Sequence, residues 1–150
     1  MTKKQQIDEF VKVKNIAVVG VSSKKGKFGN AVYNELKQKG YNVFAVNPKL
    51  SEFGNDKCFN NITELKGKIE AIIIVVHGIE TEKIVVEAKN VGIKHIWMQQ
   101  GSETEKAISF CKENRISVIH NECILMYAEP VNSIHSFHKW LWKILGKLPK

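Results

Sequence analysis

The chain has 150 residues, a net charge of +8, 43% apolar residues and 25% charged ones. That length suits one compact domain with a single core, and the composition is that of an ordinary globular protein. No run is long or apolar enough to span a bilayer, and Met1-Thr2-Lys3-Lys4-Gln5-Gln6 leads into no signal-type stretch, so a membrane or export role is not expected.

In chain order, residues 5–13 read as a short leading helix with Ile7, Phe10 and Val11 on one face. Residues 15–20 read as a strand built on Ile16-Ala17-Val18-Val19, and residues 28–39 as a helix closed by Gly40. A second strand, 41–46, ends at Asn47-Pro48, because proline donates nothing to a ladder. Residues 49–61 read as a polar loop with a small strand near Cys58-Phe59, and Ile62 to Leu65 as one helical turn. The run 71–76 shows no alternation and is expected to be buried on both faces, as a central parallel strand is. Helix 80–91, strand 95–98, helix 103–114, strand 117–119 and helix 132–145 complete the pattern. This βαβ alternation with short connections predicts an α/β fold: a doubly wound, mostly parallel, Rossmann-like sheet in three α/β/α layers, as a single domain. The expected domain fills 1–150, with a leading helix within 1–14 and a C-terminal helix and tail at 131–150.

The junction between the first strand and the first long helix holds most of the functional information. Gly20, Gly26 and Gly29 alternate there with Ser22, Ser23, Lys24, Lys25 and Lys27. A loop of this kind at a helix N-terminus favours an anion, through amide N–H groups and the helix dipole. The spacing is G-x5-G-x2-G rather than the dinucleotide fingerprint G-x-G-x-x-G, with Ser22 where the second glycine would stand. Parallel sheets bind ligands beyond their carboxyl ends. The expected walls are therefore Gly20 to Gly29, Asn47 to Lys49, Val76 to Gly78, Gln99 to Gly101 and His120 to Cys123.

At the end of the second strand an NAD site wants a carboxylate for the ribose 2′-OH. The chain has Asn47-Pro48-Lys49 instead, and a lysine there fits a phosphorylated nucleoside such as the 2′-phosphate of NADP or the 3′-phosphate of coenzyme A. The basic residues are nearly all lysines scattered over helix faces and loops, with Arg115 the lone arginine. This speaks for a solvated surface rather than a nucleic-acid footprint. Cys58, Cys111 and Cys123, odd in number and far apart, read as reduced thiols of a cytoplasmic protein. His120-Asn121-Glu122-Cys123 crowds potential ligands at a strand end, but no CxxC or HxxxH spacing completes a zinc site. Cys123 reads foremost as a structural thiol, with a redox or acyl-acceptor role as the lesser reading. His135 and His138 share a helical spacing, and of Trp140 and Trp142 at least one must leave the apolar stripe of its helix. No metal site and no catalytic residue is assigned.

The pattern Ala17-Val18-Val19-Gly20-Val21-Ser22, then Gly29, then Gly40-Tyr41-x-Val43-x-x-Val46-Asn47-Pro48-Lys49 resembles the stand-alone CoA-binding domain proteins. These are small cytoplasmic Rossmann-type proteins similar to the N-terminal domain of the succinyl-CoA synthetase alpha subunit. Ile96-Trp97-Met98-Gln99-x-Gly101 and Cys123-x-x-Met126 extend the resemblance over residues 15 to 130. It implies a cofactor, coenzyme A or an acyl-CoA, held by Ser22, Ser23, Lys24 and Lys25, by Lys49, and by Val76 and His77. With the strand-end walls, the expected contact set is Gly20, Val21, Ser22, Ser23, Lys24, Lys25, Gly29, Asn47, Pro48, Lys49, Val76, His77 and Gln99. The synthetase's phosphorylated histidine belongs to a further domain, and no histidine here sits in a matching motif. The resemblance thus implies binding of a small nucleotide ligand rather than catalysis, and leaves monomer or homo-oligomer open. The alternative is an NAD(P)-dependent oxidoreductase or NADP-sensing domain. An oxidoreductase would also need a second domain or a proton donor such as Tyr-x-x-x-Lys; neither is expected here, and 150 residues leave little room for a substrate domain.

Overall fold

Continuous apolar runs form the middle of a sheet. In the computed structural model, which describes residues 1–128, the strands are β1 (Asn15–Val19), β2 (Asn42–Val46), β3 (Glu52–Phe53), β4 (Asp56–Phe59), β5 (Ala71–Ile74), β6 (His95–Gln99) and β7 (Ser117–Glu122). They lie in the order β3-β4-β2-β1-β5-β6-β7. Every pairing is parallel except β3 with β4. Ala71, Ile72, Ile73 and Ile74 of β5 have no exposed surface, which is what a strand with both faces covered requires.

The helices are α1 (Lys3–Phe10), α2 (Phe28–Gln38), α3 (Ile79–Asn90) and α4 (Glu105–Glu113). Two cores follow from the period-two alternation of the strands. Ile16, Val18, Ile73, Trp97 and Ile119 pack with Ile7 and Phe10 of α1 and with Val32, Tyr33 and Leu36 of α2. Ala17, Val19, Ile72, Ile74, Ile96 and Met98 pack with Val85 and Ala88 of α3, Ala107 and Cys111 of α4, and Ile62 and Leu65 of a 3-10 turn. The result is the expected three-layer, Rossmann-like α/β/α arrangement.

Several boundaries differ from the sequence reading, each for a local reason. The leading helix starts at Lys3 rather than residue 5 because Thr2 and Gln5 form a capping box, with Gln5 N–H donating to Thr2 Oγ1 at 3.2 Å and Thr2 N–H to Gln5 Oε1 at 2.8 Å. The polar loop 49–61 contains a hairpin, β3 turning through Gly54-Asn55 into β4, and β4 extends the sheet beside β2. Strand β5 ends at Ile74; Val75 N–H still donates to Val19 O of β1 at 2.9 Å, and the chain turns away after it. Strand β7 runs on to Glu122 and holds one residue more than β6 between Trp97↔Ile119 and Gln99↔Glu122. The irregularity includes Asn121 at φ 61, a left-handed conformation that asparagine tolerates. The expected helix 132–145, with His135, His138, Trp140 and Trp142, lies outside the described residues.

Candidate functional site

The chain leaves β1 for β2 on one side of the sheet and later crosses to β5 on the other, so strand order reverses between β1 and β5. A crevice opens beyond the carboxyl ends of strands at such a point. Here it is a cleft of about 750 Å³, bordered by the loop after β1, the Val75-Val76-His77 turn after β5, the end of β6 and the turn after β7. A smaller slot of about 270 Å³ shares Gly20, Asn47 and Val76 with it and is walled by Pro48, Ile62 and Ile84.

Two glycines let the backbone come this close. Gly20 has φ +120, and a Cβ there would stand 2.7 Å from Val75 Cγ2. A Cβ on Gly29 would meet the same methyl at 2.7 Å and the Gly20 carbonyl oxygen at 2.8 Å. They do the work of the first and third glycines of the dinucleotide fingerprint, the tight turn and the close helix–strand contact.

The longer loop between them is fixed by carboxamides. Asn30, in the first turn of α2, accepts from Ser22 N–H at 2.8 Å and donates to Ser22 O at 2.8 Å and Lys24 O at 3.1 Å. Asn47 donates to Val21 O at 2.6 Å and accepts from Lys49 N–H at 2.7 Å. The Ser22 hydroxyl accepts from Lys24 N–H. The Ser22 and Lys24 amides are thus committed within the protein and are not free for an anion. The unclaimed donors lie one step on. Lys27 and Gly78 are the N-cap residues of α2 and α3, and neither helix has a side-chain cap. In contrast, α1 and α4 are capped by Thr2 and Thr104. Lys27, Phe28 and Gly29 line the cleft, and the first turn of α2 carries no acidic residue. An uncapped helix start beside ammonium groups is a region of positive potential.

The far wall comes from β6 and β7. Gln99 is buried and accepts from Ile124 N–H through Oε1 at 3.2 Å. Trp97, wholly buried, donates its indole N–H to Glu122 O at 3.0 Å. The Glu122 carboxylate pairs with Lys3 Nζ at 2.7 Å and accepts from the Tyr127 hydroxyl at 2.8 Å, which ties α1 to the end of β7. Cys123 opens the 3-10 turn Ile124–Met126 and lines the cleft with Met126. Burial pushes the Cys123 thiol above its ordinary range, against hydrogen bonds from the Leu125 amide, the Gln99 side chain and the Met126 amide that favour the thiolate. His77 donates from Nδ1 to Gly101 O at 2.9 Å, so Nε2 is the acceptor nitrogen of the neutral ring.

Of the residues expected to contact a ligand, Gly20, Val21, Ser22, Gly29, Asn47, Val76, His77 and Gln99 line the one cleft. Pro48 lines the adjacent slot, and Ser23 and Lys25 border a separate depression next to Tyr33 and Asp56. Lys24 and Lys49 are exposed and stand outside these cavity walls. Sequence reasoning passed over Lys27, Phe28, Val75, Gln100 and Ser102 as individual contacts. A readable signal existed for Lys27 and Phe28, because they are the residues that start the helix. Contrary to the expectation that the chain has no Tyr-x-x-x-Lys element, Tyr33 and Lys37 stand at that spacing, but both side chains bond Asp56 away from the cleft. Burial first, then the Asp56 bond, raises the Tyr33 phenol well above its usual range. Among the described residues no three His, Cys, Asp or Glu side chains converge on a metal position, and no helix is long and apolar enough to cross a membrane.

A Rossmann-like domain with a cleft at its switch point is a nucleotide-binding architecture, and comparison with known proteins narrows the class. Residues 14–129 match the CoA binding domain family, and the chain belongs to it. An uncharacterised Bacillus subtilis protein, YneT, is 28% identical over 122 residues, covering 81% of this chain and 90% of that protein. An ADP-forming acetate–CoA ligase of Methanocaldococcus jannaschii is 31% identical over 81 residues, 54% of this chain, and the match spans only 12% of the ligase. Among solved structures, a hypothetical protein from Pyrococcus horikoshii OT3 superposes with a TM-score of 0.80 at 30% identity, covering 87% of this chain and 92% of that one.

Proposed function

We propose that the protein binds coenzyme A or an acyl-CoA, with the diphosphate at the start of α2 and the pantetheine arm along the cleft. The observation that carries this reading is the uncapped first turn of α2, set into the cleft at Lys27, Phe28 and Gly29, with Lys27 the lysine that lines it. Anions are stabilised at such a terminus by amide donors and dipole together. The adenine ring suits the slot between Ile62, Val76 and Ile84, beside Pro48. Lys49, next in the chain to Pro48, is the residue for the 3′-phosphate. The absence of a carboxylate at the end of β2 disfavours NAD. The role is binding, in a cytoplasmic setting, with no residue assigned to catalysis.

The test is thermal melting with CoA, acetyl-CoA, dephospho-CoA, NAD and NADP in parallel. A ligand at one hundred times its Kd stabilises by about 2.7 kcal/mol. CoA and acetyl-CoA should shift the melt, and Lys49→Ala should weaken CoA more than dephospho-CoA. A shift with NADP alone, or with none of the five, overturns the reading.

A further inference from the structure

Lysines that are scattered in sequence are gathered by the fold. The parallel strands start level: Asn15 opposes Asn42, Ile16 opposes Ala71, Ala71 opposes His95 and His95 opposes Ser117. The connections into these strands therefore surface side by side, at the end of the sheet away from the cleft. Lys12 and Lys14 lead into β1, Lys66 and Lys68 into β5, Lys94 into β6 and Arg115 into β7, and all six are exposed. None of the six makes an ion pair among the described residues. Lys14 Nζ stands 5.0 Å from the centre of the Tyr41 ring, which brings it beside the connection into β2. The carboxylates of these connections and of the helix ends before them are Glu9, Glu35, Glu70 and Glu113. Of these, Glu35 faces Lys39 at 3.8 Å, and Glu70 accepts from Asn15 Nδ2 at 3.1 Å.

A second observation sets this end apart. Lys39 Nζ, His95 Nδ1 and Ser117 Oγ are the buried side-chain polar atoms without a hydrogen-bond partner among the described residues, and all three belong to it. Lys39 precedes β2, and His95 and Ser117 open β6 and β7. Buried polar groups are normally paired, so an end that leaves three of them open is not closed by the protein alone.

The shape of the patch selects its partner. From β2 to β7 there are four strand spacings, which at ~4.8 Å each give a width of roughly 19 Å. The patch also has depth, since Lys12 follows the helix packed on one face of the sheet and Lys66 follows the 3-10 turn packed on the other. Its connections are short, so none projects to enter a groove. The exposed large apolar side chains, Met1, Phe28, Ile79 and Val86, belong to other parts of the molecule. A nucleic acid is read by projecting elements, arginines and stacked aromatics, and this end offers Arg115 alone of these. A broad set of lysine point charges instead matches a broad plane of anions. We propose that the amino end of the sheet is a docking face for an anionic lipid surface, held by charge without insertion. Clusters of about four to eight basic residues suffice for such binding. With this end on the headgroups, the cleft at the carboxyl ends of the strands faces solvent and stays open to a ligand.

The experiment is cosedimentation of the full chain with vesicles of phosphatidylcholine alone, or of phosphatidylcholine and phosphatidylserine at two to one. Binding is expected to the second kind only. It should be strongest at low salt, where the Debye length is about 30 Å, and weaken where it falls to about 8 Å. Each lysine close to an anionic leaflet strengthens binding roughly fivefold, so Lys14→Gln, Lys68→Gln and Lys94→Gln together should weaken it about a hundredfold. Lys4→Gln, Lys83→Gln and Lys106→Gln together remove the same charge elsewhere and should cost less than about fivefold. All six positions are exposed, and melts check that both triple variants fold. Both keep residues 129–150, so a loss confined to the first variant comes from this face. No binding to the phosphatidylserine vesicles, equal binding to both lipids, or equal losses in the two variants would overturn the proposal. So would tighter binding to a mixed-sequence DNA duplex, lost in the first variant, which would give the face to nucleic acid. The CoA-induced thermal shift, read without vesicles, tests the cleft separately, and neither failure entails the other.

Discussion

Gly29 offers the sharpest check on the site's construction. Its φ is an ordinary helical one, so Gly29→Ala introduces no backbone strain, and on helix propensity alone it should stabilise by ~0.5–1 kcal/mol. The neighbours oppose this. The new methyl would lie 2.7 Å from Val75 Cγ2 and 2.8 Å from the Gly20 carbonyl oxygen, and the second contact is to backbone that cannot rotate away. Overpacking of this kind costs ~1–3 kcal/mol. The net expectation is a loss of about 1–2 kcal/mol, or roughly 3–6 °C in Tm for a domain of this size. Because relief comes from lifting the start of α2 off β1, the CoA-induced shift should shrink as well. Asn34→Ala, exposed on the same helix, is the control and should leave Tm level or slightly raised. Melts of both variants with and without CoA make the measurement. A Gly29→Ala protein as stable as the wild type, with an undiminished CoA shift, would refute the argument that close helix–strand contact builds the site.

Asn30→Asp keeps an acceptor for Ser22 N–H but loses both donated bonds, to Ser22 O and Lys24 O, and adds negative charge at the proposed diphosphate site. CoA affinity by calorimetry should fall at least ~tenfold, the equivalent of about 1.4 kcal/mol. Trp97→Phe removes the indole bond to Glu122 O and part of a fully buried ring that meets Phe10 edge-on, which should cost about 1–3 kcal/mol in urea denaturation. Hydrogen bonds from Lys37 and Tyr33 hold the Asp56 carboxyl below its usual range. The stability they lend is present above the unfolded pKa near 3.9 and is lost as pH falls through the lower folded value. Because Asp56 is solvent-screened, Asp56→Asn should cost no more than ~1 kcal/mol at pH 7, and the difference from wild type should vanish in strong acid.

Much of the sheet was readable because burial on both faces leaves an unmistakable trace. Ala71-Ile72-Ile73-Ile74 has no polar position, and the structure gives it two parallel neighbours. The small strand expected near Cys58-Phe59 is the end of β4, but β3 and the hairpin turn were missed because Glu52-Phe53 and Asp56-Lys57 carry charged residues at a sheet edge, where hydrophobic alternation fades. Strand β7 was cut short for a related reason. His120-Asn121-Glu122 is polar in sequence, yet Glu122 faces inward because an extra residue shifts the register and Lys3 and Tyr127 meet its carboxylate. The candidate site was legible wherever it follows from strand ends, as with Gly20, Val76 and Gln99. Ser102 was not, because nothing in a lone serine after Gly101 indicates that it turns inward.

A loop of G-x5-G-x2-G spacing raises a physical question, since a longer connection has more conformations to lose when it closes on an anion. The structure answers it with two side chains. Asn30 binds both polar groups of Ser22 and reaches Lys24, and Asn47 joins Val21 on the first strand's exit to Lys49 on the second's. These bonds take up backbone groups that a compact glycine loop would offer to the ligand. On the CoA-binding reading proposed above, the diphosphate would then meet not the loop itself but the first turn of α2, where no side chain caps the helix. The serines and asparagines order the loop before any ligand arrives, and the helix start and the lysines remain to meet the charge. This division explains how the chain can do without the second fingerprint glycine. On that proposed reading the turn would not have to let a phosphate touch the backbone at Ser22, whose N–H and carbonyl are both held by Asn30, so a side chain is tolerated there.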